Sequence, residues 1–124
     1  MAVVLIVEDE VFTRQNAGWT IEDLGHNALL ACDPGEALAH LTTPGDIDAL
    51  FVDIRLGDLP FGGFDIAHQA IKLRPRLRVL YTSGSTLTAE MTGQFVSGGR
   101  FIQKPYSSDQ LELSVGELLH AYSL

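Results

Sequence analysis

Val3-Val4-Leu5-Ile6-Val7-Glu8-Asp9 runs from five apolar residues straight into two acids. The apolar part suits one strand, and it is hydrophobic on both faces, as a parallel sheet covered by helices on each side requires. Three later stretches follow the same pattern. Leu50-Phe51-Val52 ends at Asp53, Val79-Leu80-Tyr81-Thr82 ends at Ser83, and Phe101-Ile102-Gln103 ends at Lys104-Pro105. In an open parallel sheet the carboxyl ends of neighbouring strands lie side by side and form the ligand crevice. Acid pair, lone acid, hydroxyl and lysine therefore read as one site assembled from four strands.

Apolar runs at 3–7, 28–32, 48–52, 77–82 and 100–103 alternate with helix-like stretches. Such alternation argues for βαβ units. The expected fold is three-layer α/β: a doubly wound, five-stranded parallel sheet in the flavodoxin-like order 2-1-3-4-5 with five helices. One domain is expected to take up residues 1–124, a common domain size. The last strand, short and more polar, fits an edge. Helix signals are uneven. Asp33-Pro34-Gly35-Glu36 offers a capping acid, a proline at the first helical position and a glutamate at the third, with Leu38 and Leu41 facing inward. Phe64, Ala67 and Ile71 mark the third helix, which Pro75 stops. Ser107 to Gln110 forms a second capping box, followed by Leu111, Val115, Leu118 and Tyr122 on one face. Ala17, Ile21 and Leu24 give the first helix a stripe, with Trp19 off it and half exposed. Thr86 to Gly99 is poor in helix formers, so the fourth helix is expected to be weak and mobile.

With 46% hydrophobic and 19% charged residues, the composition is that of a soluble globular protein. No apolar run approaches the ~20 residues that cross a bilayer, and Met1-Ala2-Val3 lacks the basic start of a signal peptide. A cytoplasmic location is the default expectation, with no membrane partner. The formal charge of −8 argues against direct nucleic-acid binding, since nothing makes a basic stripe. Cys32 is the only cysteine, which excludes an internal disulfide; it reads as a small buried-type residue closing the second strand. His26, His40, His68 and His120 are scattered without ligand spacing.

An acid pair before a helix is ordinarily a cap that complements the helix dipole. Asp53 changes the balance. If the first strand is central, the third is its neighbour, and Glu8, Asp9 and Asp53 converge. Two carboxylates roughly 4 Å apart repel by about 4 kcal/mol at an effective dielectric near 20. A cation gives such a gathering its reason, and oxygen ligands without histidine or thiolate select a hard ion, Mg²⁺. Singly, Lys104 reads as a strand end and Ser83 as a loop hydroxyl. Together, carboxylate, metal, ammonium and hydroxyl make a phosphoryl-transfer site, with Asp53 as the nucleophile that becomes an aspartyl phosphate.

Val-Glu-Asp-Glu after the first strand, Phe-Val-Asp at the third, Tyr-Thr-Ser-Gly at the fourth and Gln-Lys-Pro at the fifth resemble the receiver domain of two-component response regulators, of the single-domain, chemotaxis-regulator-like kind. The likeness spans essentially the whole chain. It implies that Asp53 accepts a phosphoryl group from a sensor histidine kinase or a histidine phosphotransfer protein. It further implies Asp9 as a direct Mg²⁺ ligand, Glu8 as a ligand through water, and the Arg55 backbone carbonyl as another. Ser83 would bond one phosphoryl oxygen and Lys104 another. Ser83 and Phe101 would form the switch, read out on the helix 4–strand 5–helix 5 face. Val11, Phe12, Arg14 and Tyr106 would be partner contacts. Such a protein is no conventional enzyme, catalysing only its own phosphorylation and dephosphorylation. One departure stands out: the family's proline four residues past the acceptor is Gly57 here, and the loop 57–63 looks longer by about two or three residues.

Other classes fit less well. A flavin carrier of the same fold needs a Ser/Thr/Gly loop after the first strand, where Glu8-Asp9-Glu10 would repel phosphate. Dehalogenase-type phosphatases and Toprim-type enzymes each want a second acid two residues past the first, and Arg55 stands there. The surviving alternative is a receiver-like interaction domain that is not phosphorylated.

Overall fold

A computed structural model provides the structure and describes residues 1–120. Along the chain run β1 (Val3–Val7), α1 (Val11–Asp23), β2 (Asn27–Ala31), α2 (Pro34–Thr42), β3 (Ala49–Asp53), α3 (Gly62–Leu73), β4 (Arg78–Ser83), α4 (Ala89–Thr92), β5 (Arg100–Gln103) and α5 (Ser108–His120). The strands form one sheet in the order β2-β1-β3-β4-β5, every pairing parallel. This is the flavodoxin-like α/β fold expected from the sequence. Pairing of Val7 with Val52, Asp53 with Thr82 and Ser83 with Gln103 brings the carboxyl ends of four strands level with one another. The chain reverses its direction of travel across the sheet between β1 and β3, which is where such folds open a crevice.

Alternate residues of each strand feed two cores. On one face Leu5, Val7, Leu50, Val52, Val79 and Tyr81 pack with Phe64, Ala67 and Ala70 of α3 and with Ala37 and Leu41 of α2. On the other, Val4, Ile6, Ala49, Phe51 and Leu80 pack with Ala17 and Ile21 of α1 and with Leu111, Val115 and Leu118 of α5. Burying one such Leu, Ile or Phe side chain is worth about 1.5–3 kcal/mol, so both faces are needed to hold the sheet flat against its helices.

Local signals explain the helix starts. Asp33 caps α2 by accepting from the Glu36 N–H at 2.8 Å, and Glu36 Oε1 accepts from the Cys32 N–H at 2.7 Å. Ser107 and Gln110 exchange the reciprocal bonds of a capping box at the head of α5. Glu10 caps α1, taking the N–H groups of Phe12 and Thr13. Leu38, Ile71 and Leu24 are half-buried rather than central, and Trp19 is 61% exposed, off the α1 stripe as expected. Tyr122 lies outside the described residues.

Two expectations need correction. Cys32 sits one residue beyond β2, half-buried rather than in the core, because the Asp33–Glu36 cap pulls the chain out of the sheet. Hydrogen bonding to Glu36, burial and the Asp33 charge push its thiol up to about 11, which keeps it protonated. The fourth helix is shorter than the 86–99 stretch suggested. Only Ala89–Thr92 is helical, capped by Thr88, and glycines at 93, 98 and 99 follow. Side chains from elsewhere hold the non-helical remainder: the Tyr81 hydroxyl accepts from the Val96 N–H at 3.1 Å, and a His68 ring nitrogen bonds the Gln94 carbonyl at 2.8 Å.

Candidate functional site

Each acid reaches the crevice because its strand stops there. Glu8 and Asp9 follow the last residue of β1, Asp53 is the last residue of β3, Ser83 the last of β4, and Lys104 follows β5. One carboxylate oxygen from each of Glu8, Asp9 and Asp53 lies within 4.8 Å of the others. The lysine crosses the sheet to meet them: Lys104 Nζ stands 2.5 Å from Glu8 Oε1 and 2.7 Å from Asp53 Oδ2. Asp53 Oδ1 accepts the Arg55 N–H at 3.2 Å, so both Asp53 oxygens are held. A surface cavity of about 280 Å³ is lined by Asp9, Asp53, Arg55, Ser83, Gly84, Ser85 and Lys104.

The electrostatics are asymmetric. Glu8 and Asp53 are buried and Asp9 is exposed. Burial, against the relief given by the Lys104 bond, and repulsion from Asp53 push the Glu8 carboxyl up to about 7. Asp9 goes the other way: burial would raise it, but hydrogen bonds from Glu8 and from the Gly57 N–H hold it below the usual carboxylate range. Burial would also lower the Lys104 ammonium, yet its bonds to Asp53 and Glu8 carry it above its ordinary value. One ammonium thus serves two carboxylates, and burial still holds Glu8 above the usual carboxylate range.

A pH dependence follows, with its sign fixed. Glu8 binds its proton more tightly folded than unfolded, so its stabilising contribution is complete below about 4.5 and is lost as pH rises through about 7. Asp9, shifted down, acts only at lower pH. In chelator-treated protein, the stability of wild type relative to Glu8→Gln is expected to fall between pH 5 and about 7.5, as read from urea midpoints. A flat or rising difference would contradict this assignment.

Around the acids, neighbouring groups are spoken for. Ser83 Oγ accepts the Ser85 N–H at 3.0 Å, and Gln103 Nε2 donates to the Ser83 and Ser85 carbonyls, pinning the β4–α4 loop. Arg14 donates to the Glu8 carbonyl at 2.8 Å, which ties this expected partner contact to the site's own backbone. Val11 and Phe12 stand 49% and 73% exposed at the head of α1. Tyr106 rests edge-on against Phe51 at 5.7 Å and, with Thr13, Asn16, Gly84, Lys104 and Pro105, lines an adjoining cavity of about 420 Å³. Burial and the nearby Glu8 charge push the Tyr106 hydroxyl up to about 12. Phe101 is half-buried on β5, stacked on Phe95 at 6.4 Å.

Three participants escaped the sequence reading. Gly57 offers its N–H to Asp9 Oδ2 at 3.0 Å, with a φ of +57° that favours glycine. Gln103 was visible only as part of Gln-Lys-Pro, with nothing to show its bonds to the loop. Gly63 packs α3 directly against the end of β3, where a Cβ would stand 2.2 Å from the Asp53 carbonyl oxygen. The Gly62-Gly63 pair was the available signal.

Fold and crevice together define a flavodoxin-like α/β module whose switch point gathers acids around a single ammonium. The chain belongs to the response regulator receiver domain family, whose model matches residues 4–115. Among solved structures, it is similar to a response regulator receiver protein from Sinorhizobium medicae (27% identity, TM-score 0.86, 97% of this chain and 95% of that one). A CheY-like receiver domain protein from Methanospirillum hungatei shares the fold at 24% identity, TM-score 0.85, over 98% of this chain and 95% of that one. NtrX from Brucella abortus, solved in complex with ADP, matches at 29% identity and TM-score 0.85, covering 98% of this chain but 28% of its own. No curated protein matches the sequence closely enough to count as a relative. The chain is therefore a two-component receiver. No helix among the described residues is long and apolar enough to cross a membrane.

Proposed function

We propose that residues 1–124 act as one receiver unit that takes a phosphoryl group onto Asp53 from a phosphohistidine on a sensor kinase or phosphotransfer protein. The convergence of three carboxylates and one ammonium at the switch point carries this reading. An Asp53 oxygen attacks phosphorus, and the P–N bond to the donor imidazole, which carries a proton on its other ring nitrogen, breaks as the P–O bond forms, so the donor leaves as neutral imidazole. Lys104 already sits on Asp53 and can follow the negative charge onto the phosphoryl oxygens. Ser83, whose hydroxyl now serves Ser85, is the group to be recruited to another oxygen.

The residues fit a Mg²⁺ ion. Asp9 is exposed, held below the usual carboxylate range and not hydrogen-bonded to the lysine, and it, Glu8 and Asp53 each offer an oxygen within 4.8 Å of the others, an all-oxygen donor set that suits a hard cation. Asp9 and Asp53 would hold the ion, with Glu8 through water and the Arg55 carbonyl assisting. When bound, it supplies charge neutralisation at the phosphoryl oxygens. Partner docking falls to Val11, Phe12 and Arg14 in the first turn of α1 and to Tyr106, which lines the adjoining cavity. Ser83 and Phe101 form the switch toward the α4–β5–α5 face, in a protein working in the cytoplasm.

Exposure to acetyl phosphate is the direct test: a gain of one phosphoryl group by mass is expected with Mg²⁺ and lost with chelator. No incorporation under either condition would favour the non-phosphorylated interaction domain. Lys104→Ala is expected to keep Mg²⁺ binding and to uncouple phosphorylation from changes around α4. It should also destabilise the metal-free fold by about 3 kcal/mol, because two buried carboxylates lose their shared cation. Intact coupling in that variant would remove the lysine from the mechanism.

A further inference from the structure

Five aromatic rings join the loop beyond Asp53 to the far side of β5. Phe61 stacks on Phe64 at 6.0 Å, and Phe64 meets Tyr81 at 5.4 Å and Phe95 at 6.0 Å. Tyr81 stacks on Phe95 at 4.3 Å, and Phe95 on Phe101 at 6.4 Å. The path starts at the surface with Phe61, 52% exposed, crosses the core through buried Phe64 and Tyr81, and emerges at half-buried Phe95 and Phe101.

The loop that carries Phe61 is fastened to the crevice at its other end. Gly57 N–H donates to Asp9 Oδ2. Leu56 and Leu59 exchange both backbone hydrogen bonds at 3.0 and 2.9 Å, closing a tight hairpin around Gly57 and Asp58. Gly62 N–H returns to the Leu59 carbonyl and Phe64 N–H to the Phe61 carbonyl. These bonds brace the hairpin at Leu56 and Leu59 and the α3 head at Gly62 and Phe64, and so couple the acid to the first ring.

Resting on the receiver reading above, we infer that residues 56–64 form a second transmission line from the crevice to the α4–β5 face, with Phe61 and Phe64 as its positioning residues. A change in how the Asp9 carboxylate is held alters its bond to Gly57 and tilts the hairpin. Phe61 rides on Phe64, and Phe64 touches both Tyr81 and Phe95, so a close-packed interior passes the displacement on. Tyr81 then acts on backbone, through its hydroxyl bond to the Val96 N–H. The receiving segment, residues 93–99, has no helix of its own to resist. This line runs beside the Ser83–Phe101 step and shares only its last ring with it.

The test uses protein labelled with 4-fluorophenylalanine, with Phe95 and Phe101 assigned through their Leu variants. In wild type, Mg²⁺ with beryllofluoride is expected to form an adduct at Asp53 and to shift both ¹⁹F signals. In Phe61→Ala the adduct should still form, while the Phe101 shift drops by about half or more. Phe61→Tyr, which keeps the ring, should restore it. Adduct formation with an undiminished Phe101 shift in Phe61→Ala would overturn the inference and leave the acceptor reading standing. Absence of the adduct in wild type would remove both.

Discussion

Asparagine in place of Asp53 is expected to reduce phosphoryl incorporation from acetyl phosphate to background. The carboxylate oxygen that attacks phosphorus becomes an amide, which is no nucleophile at neutral pH, and no other acid can substitute for it. Glu8 is buried and engaged with Lys104 at 2.5 Å, while Asp9 is exposed and held by the Gly57 N–H. Mg²⁺ affinity should weaken about tenfold, equivalent to about 1.4 kcal/mol, because one of the charged ligands is gone. The fold should persist, since Lys104 keeps its bond to Glu8 and an amide oxygen can still accept the Arg55 N–H. Mass spectrometry for incorporation and titration for Mg²⁺ separate the two effects. Incorporation at the wild-type level in Asp53→Asn would place the acceptor elsewhere.

Gly63→Ala is the second large effect, and it acts through backbone contact. A Cβ at this position would lie 2.2 Å from the Asp53 carbonyl oxygen, 2.7 Å from the Ile54 Cα and 2.9 Å from the Asp53 carbonyl carbon. None of these atoms can turn aside as a side-chain end would. The Gly63 N–H also donates to the Ile54 carbonyl at 2.8 Å, so α3 cannot lift off without losing that bond. The expected cost is about 3 kcal/mol. For a domain of this size that is a fall in Tm of about 10 °C. Any folded remainder should bind Mg²⁺ poorly, because the same strand end carries Asp53. Gly116→Ala is the control: on α5 an added Cβ meets nothing within 4 Å, and alanine should stabilise the helix by roughly 0.5–1 kcal/mol. Equal melting temperatures for Gly63→Ala and wild type would refute the steric reading.

Much of the site was legible because its signals are local. An apolar strand that ends in a charged or hydroxyl residue announces both the strand and the place where its chemistry emerges, and this holds for Asp9, Asp53, Ser83 and Lys104 alike. Capping at Asp33 and Ser107 was equally plain, since each box closes within three residues. The α4 region was less so. Its poor helix formers were evident, but not that helix would be confined to Ala89–Thr92, because what holds the remainder is the Tyr81 hydroxyl and the His68 ring, from other elements. Cys32 misled for a similar reason: small and apolar in type, it was drawn out of the sheet by the cap next to it.

The sequence alone determined the alternation of strand and helix, the parallel sheet, and the set of acids, hydroxyl and lysine at its carboxyl edge, because residue type and spacing within a few positions suffice for these. Only the tertiary structure decided how one ammonium is divided between Glu8 and Asp53, how burial pushes the Glu8 carboxyl up, and how Gly57, Phe61 and Phe64 tie the loop to Asp9 and to the core. Those contacts join atoms as far apart as 96 residues along the chain. Strand register and the packing of α3 on β3 fix them, and neither is written in any single stretch of sequence.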